Sequence, residues 1–354
     1  MNIDAPGRAW PSVNDMGQPV VYVSPFVPPE WIAAHGMQPR RLVPRAPAMR
    51  GMREGQCPFA WQAAASLTAT PQPLGNPAAI ILTSTCDQMR RAAEIVQART
   101  PSPVFLMNVP ATWRSDSARG LYADELARLG LFLQHCGGRQ PGQGELAALM
   151  LAYERARIAL KAAQPMLSAR EFARLLCELG SCDAGQLDGF QRAISDACGQ
   201  QGQRAAGGID LAIVGGPIAQ GELAILDAIE LAGGKVVLNA CESGQRCLPA
   251  PLDAQAASAD PLAQLRRMYF DSIPDAFRRP DSLLENYLRT HLAGSGARGV
   301  VLIRQVWCDL WHAWTQRLGG LCPLPVLDVV LGDSPEGTTS ATNRIQSFIE
   351  ILRR

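Results

Sequence analysis

Short apolar segments with strand character alternate with segments of helical spacing, and this alternation occurs twice along the chain. In the first part, Ala78–Thr83 is a continuous apolar run, which is typical of a strand covered on both faces. The helical segment Gln88–Arg99 follows it, and Pro103–Met107 is the next strand. The alternation starts again at Asp210. Such a pattern favours parallel, doubly wound sheets.

The middle of the chain, from about residue 121 to residue 205, lacks strand signals and shows helical spacing, as in Leu146–Leu160. A chain of 354 residues is also longer than one hydrophobic core usually serves. We therefore predict two α/β domains with doubly wound parallel sheets, residues 1–120 and 206–354, which face each other across a cleft and are joined by a helical segment, residues 121–205. The predicted strands are Pro19–Val23, Arg41–Val43, Ala78–Thr83, Pro103–Met107, Asp210–Val214, Lys235–Leu238, Gly299–Ile303 and Val326–Leu331.

The two halves share one short sequence pattern at a chemically important position. Each half has a strand that is followed by Cys-Asp and then by a helix, at Cys86-Asp87 and at Cys308-Asp309. Ligands of open parallel sheets bind beyond the carboxyl ends of the strands. The unpaired amides and the positive dipole end of a following helix favour a thiolate there. Two facing domains are therefore expected to present Cys86 and Cys308 to a shared cleft.

A third cysteine, Cys57, lies in the irregular stretch Gly55–Phe59. Pro58 follows it directly and stiffens the loop, which suits a fixed ligand better than a packing residue. The alternative is that these are inert buried thiols, which are common in proteins. That alternative accounts well for the cysteines in or beside helical runs, but poorly for the matched pair. The cysteines in helical runs are Cys136, Cys177, Cys182 and Cys198.

The bulk properties exclude several classes of function. The formal net charge is +1, so no global field favours nucleic acid or an anionic membrane. The longest apolar runs are far too short to span a bilayer, and the first residues carry no signal-peptide pattern. We therefore expect a cytoplasmic protein, in which ten cysteines do not form a disulfide framework. A CxxC pair is also missing, which argues against a zinc ribbon.

Several sequence elements resemble, in order, those of the 2-hydroxyacyl-CoA dehydratase / benzoyl-CoA reductase subunit family, in particular its D component. They begin with Pro29-Glu30 through Gly36, Thr85-Cys86-Asp87 and Asn108-Val109-Pro110. The resemblance spans nearly the whole chain, and the ordered set is more specific than any single element. Its later elements are Gly215–Pro217, Cys241–Arg246, Val306–Asp309, Gly332-Asp333 and Asn343–Glu350.

The resemblance implies that Cys57, Cys86 and Cys308 ligate a [4Fe–4S] cluster with one open iron. The implied enzyme is a lyase that removes water from a 2-hydroxyacyl-CoA in an anaerobic metabolism. Its partners are an ATP-dependent activator protein, which supplies one electron to generate a ketyl radical anion, and a homologous second subunit. Trp307, Trp311 and Trp314 offer apolar surface for such a heterodimer.

Other assignments stay open in the sequence. A benzoyl-CoA reductase-type subunit and a non-catalytic electron-transfer or interaction paralogue share the same scaffold. Glu30 is a candidate catalytic residue near the cluster, or an acidic first-turn residue favoured by the helix dipole. Cys241 is a possible fourth ligand, and Gly215–Pro217 either approaches a CoA phosphate or forms a tight turn. Asp275 follows Ile273-Pro274, where relatives with a double-cubane cluster carry Cys.

Overall fold

A computed structural model describes residues 17–45, 54–69, 76–200, 208–332 and 335–354. The first sheet has four parallel strands in the order β2-β1-β3-β4. Two helices cover one face of this sheet, packing Phe59, Leu67 and Val96 against it. The elements are β1 (Pro19–Tyr22), α1 (Pro29–Ala34), β2 (Gln38–Arg41), α2 (Pro58–Thr68), β3 (Ala79–Thr83), α3 (Asp87–Arg99) and β4 (Val104–Met107).

The middle of the chain is helical. Its four helices bury apolar stripes against the other face of the first sheet, through residues such as Leu129 and Met150. One of them also packs Ala169 and Ala173 into the core of the second sheet. The helices are α4 (Asp116–His135), α5 (Gln143–Ala163), α6 (Ala169–Leu179) and α7 (Leu187–Gln200).

The second sheet repeats the strand order of the first, because its parallel strands are arranged β6-β5-β7-β8. Short 3-10 turns at Gln220–Leu223 and Gln245–Cys247 and a π-helical turn at Arg267–Asp271 join the regular elements. The elements are β5 (Ile209–Gly215), α8 (Ala224–Leu231), β6 (Gly234–Ala240), α9 (Ala254–Ala259), α10 (Pro261–Arg266), α11 (Ser282–Gly294), β7 (Gly299–Gln305), α12 (Asp309–His312), α13 (Trp314–Leu321), β8 (Val326–Leu331) and α14 (Pro335–Arg353).

The predicted architecture is confirmed: two parallel sheets lie on either side of a helical middle segment. Two local predictions were wrong. The strand expected at Arg41–Val43 lies at Gln38–Arg41, where Pro39 is tolerated because β2 is an edge strand. The stretch expected to be irregular around Cys57 contains α2. The N-terminal residues 1–16 and Asp333, which the sequence analysis also used, lie outside the described residues.

Part of the chain after β6 returns to the first sheet. We call residues 248–277 the return segment; its Leu265, Met268 and Phe270 belong to the same buried core as β1 and α5. Next to it, Arg279 N–H donates to the carbonyl of Ala111, at 2.8 Å. The domain boundaries stay a prediction, but this segment lies within the range predicted for the C-terminal domain while packing against the first sheet.

Among the described residues, none of the helices combines the length and the apolar character that crossing a bilayer requires.

Candidate metal centre

Cys86 and Cys308 occupy equivalent positions in the two sheets. Cys86 follows β3 and caps the N-terminus of α3, and Cys308 follows β7 and caps the N-terminus of α12. In each sheet this is the third strand of the order 2-1-3-4, beside the first strand. The strand order reverses between these two strands, and ligands of open sheets bind in the crevice at such a switch point.

Cys57 also caps a helix. It precedes α2, whose first residue is Pro58. A proline at the first helical position lacks only an N–H that the helix leaves unpaired, so Pro58 signals a helix start as well as a stiff loop. The N–H of Cys57 bonds to the side chain of Gln88, at 3.2 Å, which ties the start of α2 to α3. The sequence analysis interpreted Pro58 as a residue that stiffens a loop and did not predict the helix that begins there.

One of the three sulfurs, that of Cys86, accepts a hydrogen bond from a backbone N–H in the first turn of its own helix. The bond from Met89 N–H to Cys86 Sγ is 3.5 Å long. Such donors favour a thiolate over a neutral thiol, because they stabilise the negative charge. Burial raises the pKa of Cys57 and Cys308, and the first-turn amides of α2 and α12 lower it in part, although neither of these sulfurs accepts a capping hydrogen bond.

The three thiols lie within electrostatic range of one another. Burial, together with charges on Cys308 and Cys86, raises the pKa of Cys57 to about 12. Burial, together with the charge on Cys86, raises the pKa of Cys308 to about 11. Burial also raises the pKa of Cys86. The fold thus brings together cysteines from α2, α3 and α12, which come from both sheets.

A single metal ion and an iron–sulfur cluster require different spacings of their thiolate ligands. In the described ranges, no three His, Cys, Asp or Glu residues form a group that could hold one metal ion. Thiolates on one zinc ion lie roughly 4 Å apart, given a zinc–sulfur bond of about 2.3 Å. Thiolates on the corners of a [4Fe–4S] cluster lie about 6–7 Å apart. Three half-buried thiols are the residue type that binds such a cluster.

Charged side chains surround the sulfurs on the side of the second sheet. The charge of Asp275 raises the pKa of both Cys86 and Cys308. Asp275 forms an ion pair with Arg246, at 2.8 Å. Arg246 is fully buried, donates to the carbonyl of Ala240, and lies 5.2 Å from the ring centroid of Trp311. This ion pair therefore holds the return segment against the edge that carries Cys308.

A second carboxyl group, Glu242, lies in the loop after β6. Burial and the charge of Asp275 raise the pKa of Glu242 to about 7, although Arg41 and Arg246 oppose the shift. Glu242 lines a cavity of about 40 Å³ with Arg41 and Phe59. Sequence analysis quoted Glu242 within a motif but gave it no role, because its neighbours are distant in sequence.

Two further residues, Cys241 and Trp307, lie just after the ends of β6 and β7. Cys241 is fully buried, and the charges that act on it are those of Arg246, Cys247 and Glu242. Trp307, directly before Cys308, has φ of 65°, a left-handed conformation that is rare outside glycine. Its side chain is 43% exposed, whereas Trp311 and Trp314 are buried in the second sheet's core.

Glu30 lies at the start of α1 and is completely buried. It pairs with Arg157 of α5 and accepts a hydrogen bond from the hydroxyl of Tyr269, at 2.6 Å. Glu30 thus joins α1, the helical middle and the return segment. A catalytic role for Glu30 stays a prediction, and its contacts account equally for a structural one.

The Gly215-Gly216-Pro217 sequence lies at the end of β5, packed against β7. A Cβ on Gly215 would meet the carbonyl oxygen of Ile303 at 1.8 Å, and a Cβ on Gly216 would meet the Trp311 ring at 2.9 Å. Close packing of strand on strand and of Trp311 on the turn therefore requires both glycines.

The family model described as 2-hydroxyglutaryl-CoA dehydratase, D-component, matches residues 25–352. A search of curated proteins found no match.

Proposed function

The chain belongs to the 2-hydroxyglutaryl-CoA dehydratase D-component family, and we propose that it is the iron–sulfur subunit of a 2-hydroxyacyl-CoA dehydratase-like lyase. In this proposal Cys57, Cys86 and Cys308 ligate a [4Fe–4S] cluster. The observation that carries it is that three cysteines at helix N-termini, from both sheets, lie within electrostatic range of one another. Inert core cysteines have no reason to share this position.

The residues of the chain prepare this site in two ways. The backbone amides at the starts of the three helices lower the pKa of the thiols against the effect of burial, and the ion pair between Arg246 and Asp275 fixes the loop beside Cys308. When bound, the cluster would supply an iron atom with an open position that polarises the thioester carbonyl or the hydroxyl group.

A small cavity lies beside Phe59. Its lining is mostly apolar, including Val23, Leu42 and Ile218, and its polar members are Arg41, Glu242, Cys177 and Ser243. Its volume of about 40 Å³ is far below the roughly 300–1,000 Å³ of ligand pockets, so it does not hold the acyl chain as it stands.

The ion pair at Asp275 supports a single cluster rather than a double cubane. The position that carries Cys in the double-cubane relatives is Asp275, and its carboxylate is bound by Arg246 and by the N–H of Phe277. The partners in this proposal are a homologous second subunit and an ATP-dependent activator protein, in the cytoplasm. The acyl-CoA is the substrate.

The test is the metal content of cysteine variants purified without oxygen. The wild-type chain should bind about four iron atoms and show broad iron–sulfur absorbance. Cys57→Ser, Cys86→Ser and Cys308→Ser should each lose most of that iron and all dehydration of 2-hydroxyglutaryl-CoA in the presence of an activator. Cys198→Ser, in α7, is the matched control and should keep both. Full iron content in all three site variants would rule out these ligands.

A further inference from the structure

The side chain of Gln88 forms two hydrogen bonds to the loop that carries Cys57. Its amide oxygen accepts from the N–H of Cys57, at 3.2 Å, and its amide nitrogen donates to the carbonyl of Gly55, at 3.3 Å. A primary amide suits this double role, because it carries an acceptor and donors side by side. Gln88 itself lies in the first turn of α3, which Cys86 caps. One side chain thus joins the starts of two helices that each begin at a candidate ligand.

The three cysteines are anchored to the sheets in different ways. Cys86 and Cys308 follow closely after the ends of β3 and β7. The N–H of Cys308 donates to the carbonyl of Gln305, the last residue of β7, at 3.2 Å. Cys57 lies well beyond the end of β2, and the group that binds its N–H is the side chain of Gln88. The position of Cys57 therefore depends on a side chain from another helix.

The turn before Cys57 has little packing of its own. Gly55 is exposed, with φ of 84°, and a Cβ there would meet no atom of the described residues within 4 Å, its chain neighbours aside. Cys57 and Gln88 both line a cavity of about 210 Å³ between α2 and α3. Water in such a cavity can satisfy the same backbone groups, but it cannot hold them at a fixed distance from Cys86. A side chain that belongs to α3 does so.

From these two hydrogen bonds we propose that Gln88 is a positioning residue, which fixes Cys57 relative to Cys86 for cluster binding. This inference rests on the proposed function, in which both thiols bind iron. The sulfurs that bind a [4Fe–4S] cluster must keep a spacing of about 6–7 Å. Residues hydrogen-bonded to metal ligands commonly orient them. Removal of the Gln88 amide therefore loosens one of the three ligands and leaves the other two in place.

The test compares Gln88→Leu and Gln88→Glu with the wild-type protein, each loaded with iron and sulfide without oxygen. Leu is similar in size but forms neither hydrogen bond, whereas Glu keeps an oxygen that accepts from the Cys57 N–H. Gln88→Leu should lose its iron to a chelator at least about tenfold faster than the wild type, as is typical when a residue that orients a metal ligand is removed. Gln88→Glu should recover part of this loss. Gln97→Leu, at an exposed position of α3, is the matched control and should be unchanged.

Two further readouts separate positioning from a general loss of stability. The electron paramagnetic resonance spectrum of the reduced cluster should change its shape in Gln88→Leu and return toward the wild-type shape in Gln88→Glu. A general loss of stability would lower the intensity and leave the shape unchanged. In the metal-free proteins, iodoacetamide should label Cys57 about tenfold faster in Gln88→Leu, the change expected from the loss of two neutral hydrogen bonds, and should label Cys86 at the wild-type rate.

Iron release, spectra and labelling rates of Gln88→Leu that match those of Gln97→Leu would overturn the role of Gln88. A wild-type protein that binds no iron would instead disprove the proposed function, and the cluster role of Gln88 with it. Faster labelling of Cys57 in Gln88→Leu would in that case still support the link that Gln88 forms between the two helices.

Discussion

The two sheets share one strand order but carry different residues beyond the carboxyl ends of their strands. The first sheet presents two thiols, Cys57 after β2 and Cys86 after β3. The second sheet presents Cys308 after β7, and at the position after β6 it carries Glu242 rather than a helix-capping cysteine. The proposed site is therefore asymmetric: the first sheet supplies two of its three thiols, and the second sheet supplies one thiol and the charged side chains beside it.

The packing of the first strand also differs between the sheets. In the first sheet β1 ends at Tyr22, whose hydroxyl donates to the carbonyl of Gly180, at 2.6 Å. In the second sheet β5 ends at Gly215, whose backbone lies against Ile303. The second edge therefore tolerates much less change in its backbone than the first.

Gly215→Ala should destabilise the second sheet at the end of β5. The added Cβ meets the Ile303 carbonyl at 1.8 Å, so we expect the free energy of unfolding to fall by about 4 kcal/mol, together with loss of iron. Urea unfolding and iron analysis measure both. Gly120→Ala, at an exposed position of α4 with open space around it, is the control and should be neutral or slightly stabilising. Equal behaviour of the two variants would refute the packing difference.

Glu242→Gln should make the protein more stable than the wild type by an amount that depends on pH, because it removes the charge of Glu242 from the second sheet. Burial raises the pKa of Glu242 from 4.5 to about 7, so the folded wild-type protein binds a proton that the unfolded chain lacks between these values. Its stability therefore falls as the pH rises through this window. The variant escapes that loss and should gain about 3 kcal/mol relative to the wild type between about pH 4 and about pH 8.

The measurement is urea unfolding of both metal-free proteins across this pH range. Ser243→Ala, the adjacent residue, adds no titrating group and should differ from the wild type by a constant amount at every pH. A flat difference for Glu242→Gln would mean that its carboxyl titrates alike in the folded and unfolded chain.

Thiol reactivity should show a smaller difference between the two sheets. In the metal-free protein the pKa of Cys308 is about 11 and that of Cys57 is about 12. Iodoacetamide attacks only thiolates, so near pH 8 Cys308 should react about tenfold faster than Cys57. Peptide mass spectrometry of timed samples measures the two rates. Faster labelling of Cys57 would reverse the order of the two environments.

Local patterns in the sequence were enough to predict the sheets and the matched cysteines. Strand runs such as Ala78–Thr83 and the Cys-Asp pairs that follow β3 and β7 carry their signal within a few residues. The helix behind Cys57 was missed because Gly and Pro suggested a loop. The nearness of Glu242 and Asp275 to the thiols depends on how the return segment crosses the molecule, and such long-range packing leaves no local signal.

The return segment also bears on how the chain folds during synthesis. Domains usually fold in order as they leave the ribosome, starting with the N-terminal one. Here Leu265, Met268 and Phe270 complete the core that contains β1 and α5. The first sheet can therefore close its core only after residues up to about 277 have emerged, by which time β5 and β6 are already present. In stalled nascent chains, the N-terminal half should become resistant to protease only once the chain has emerged to about residue 277. The two halves would then fold together, late in synthesis.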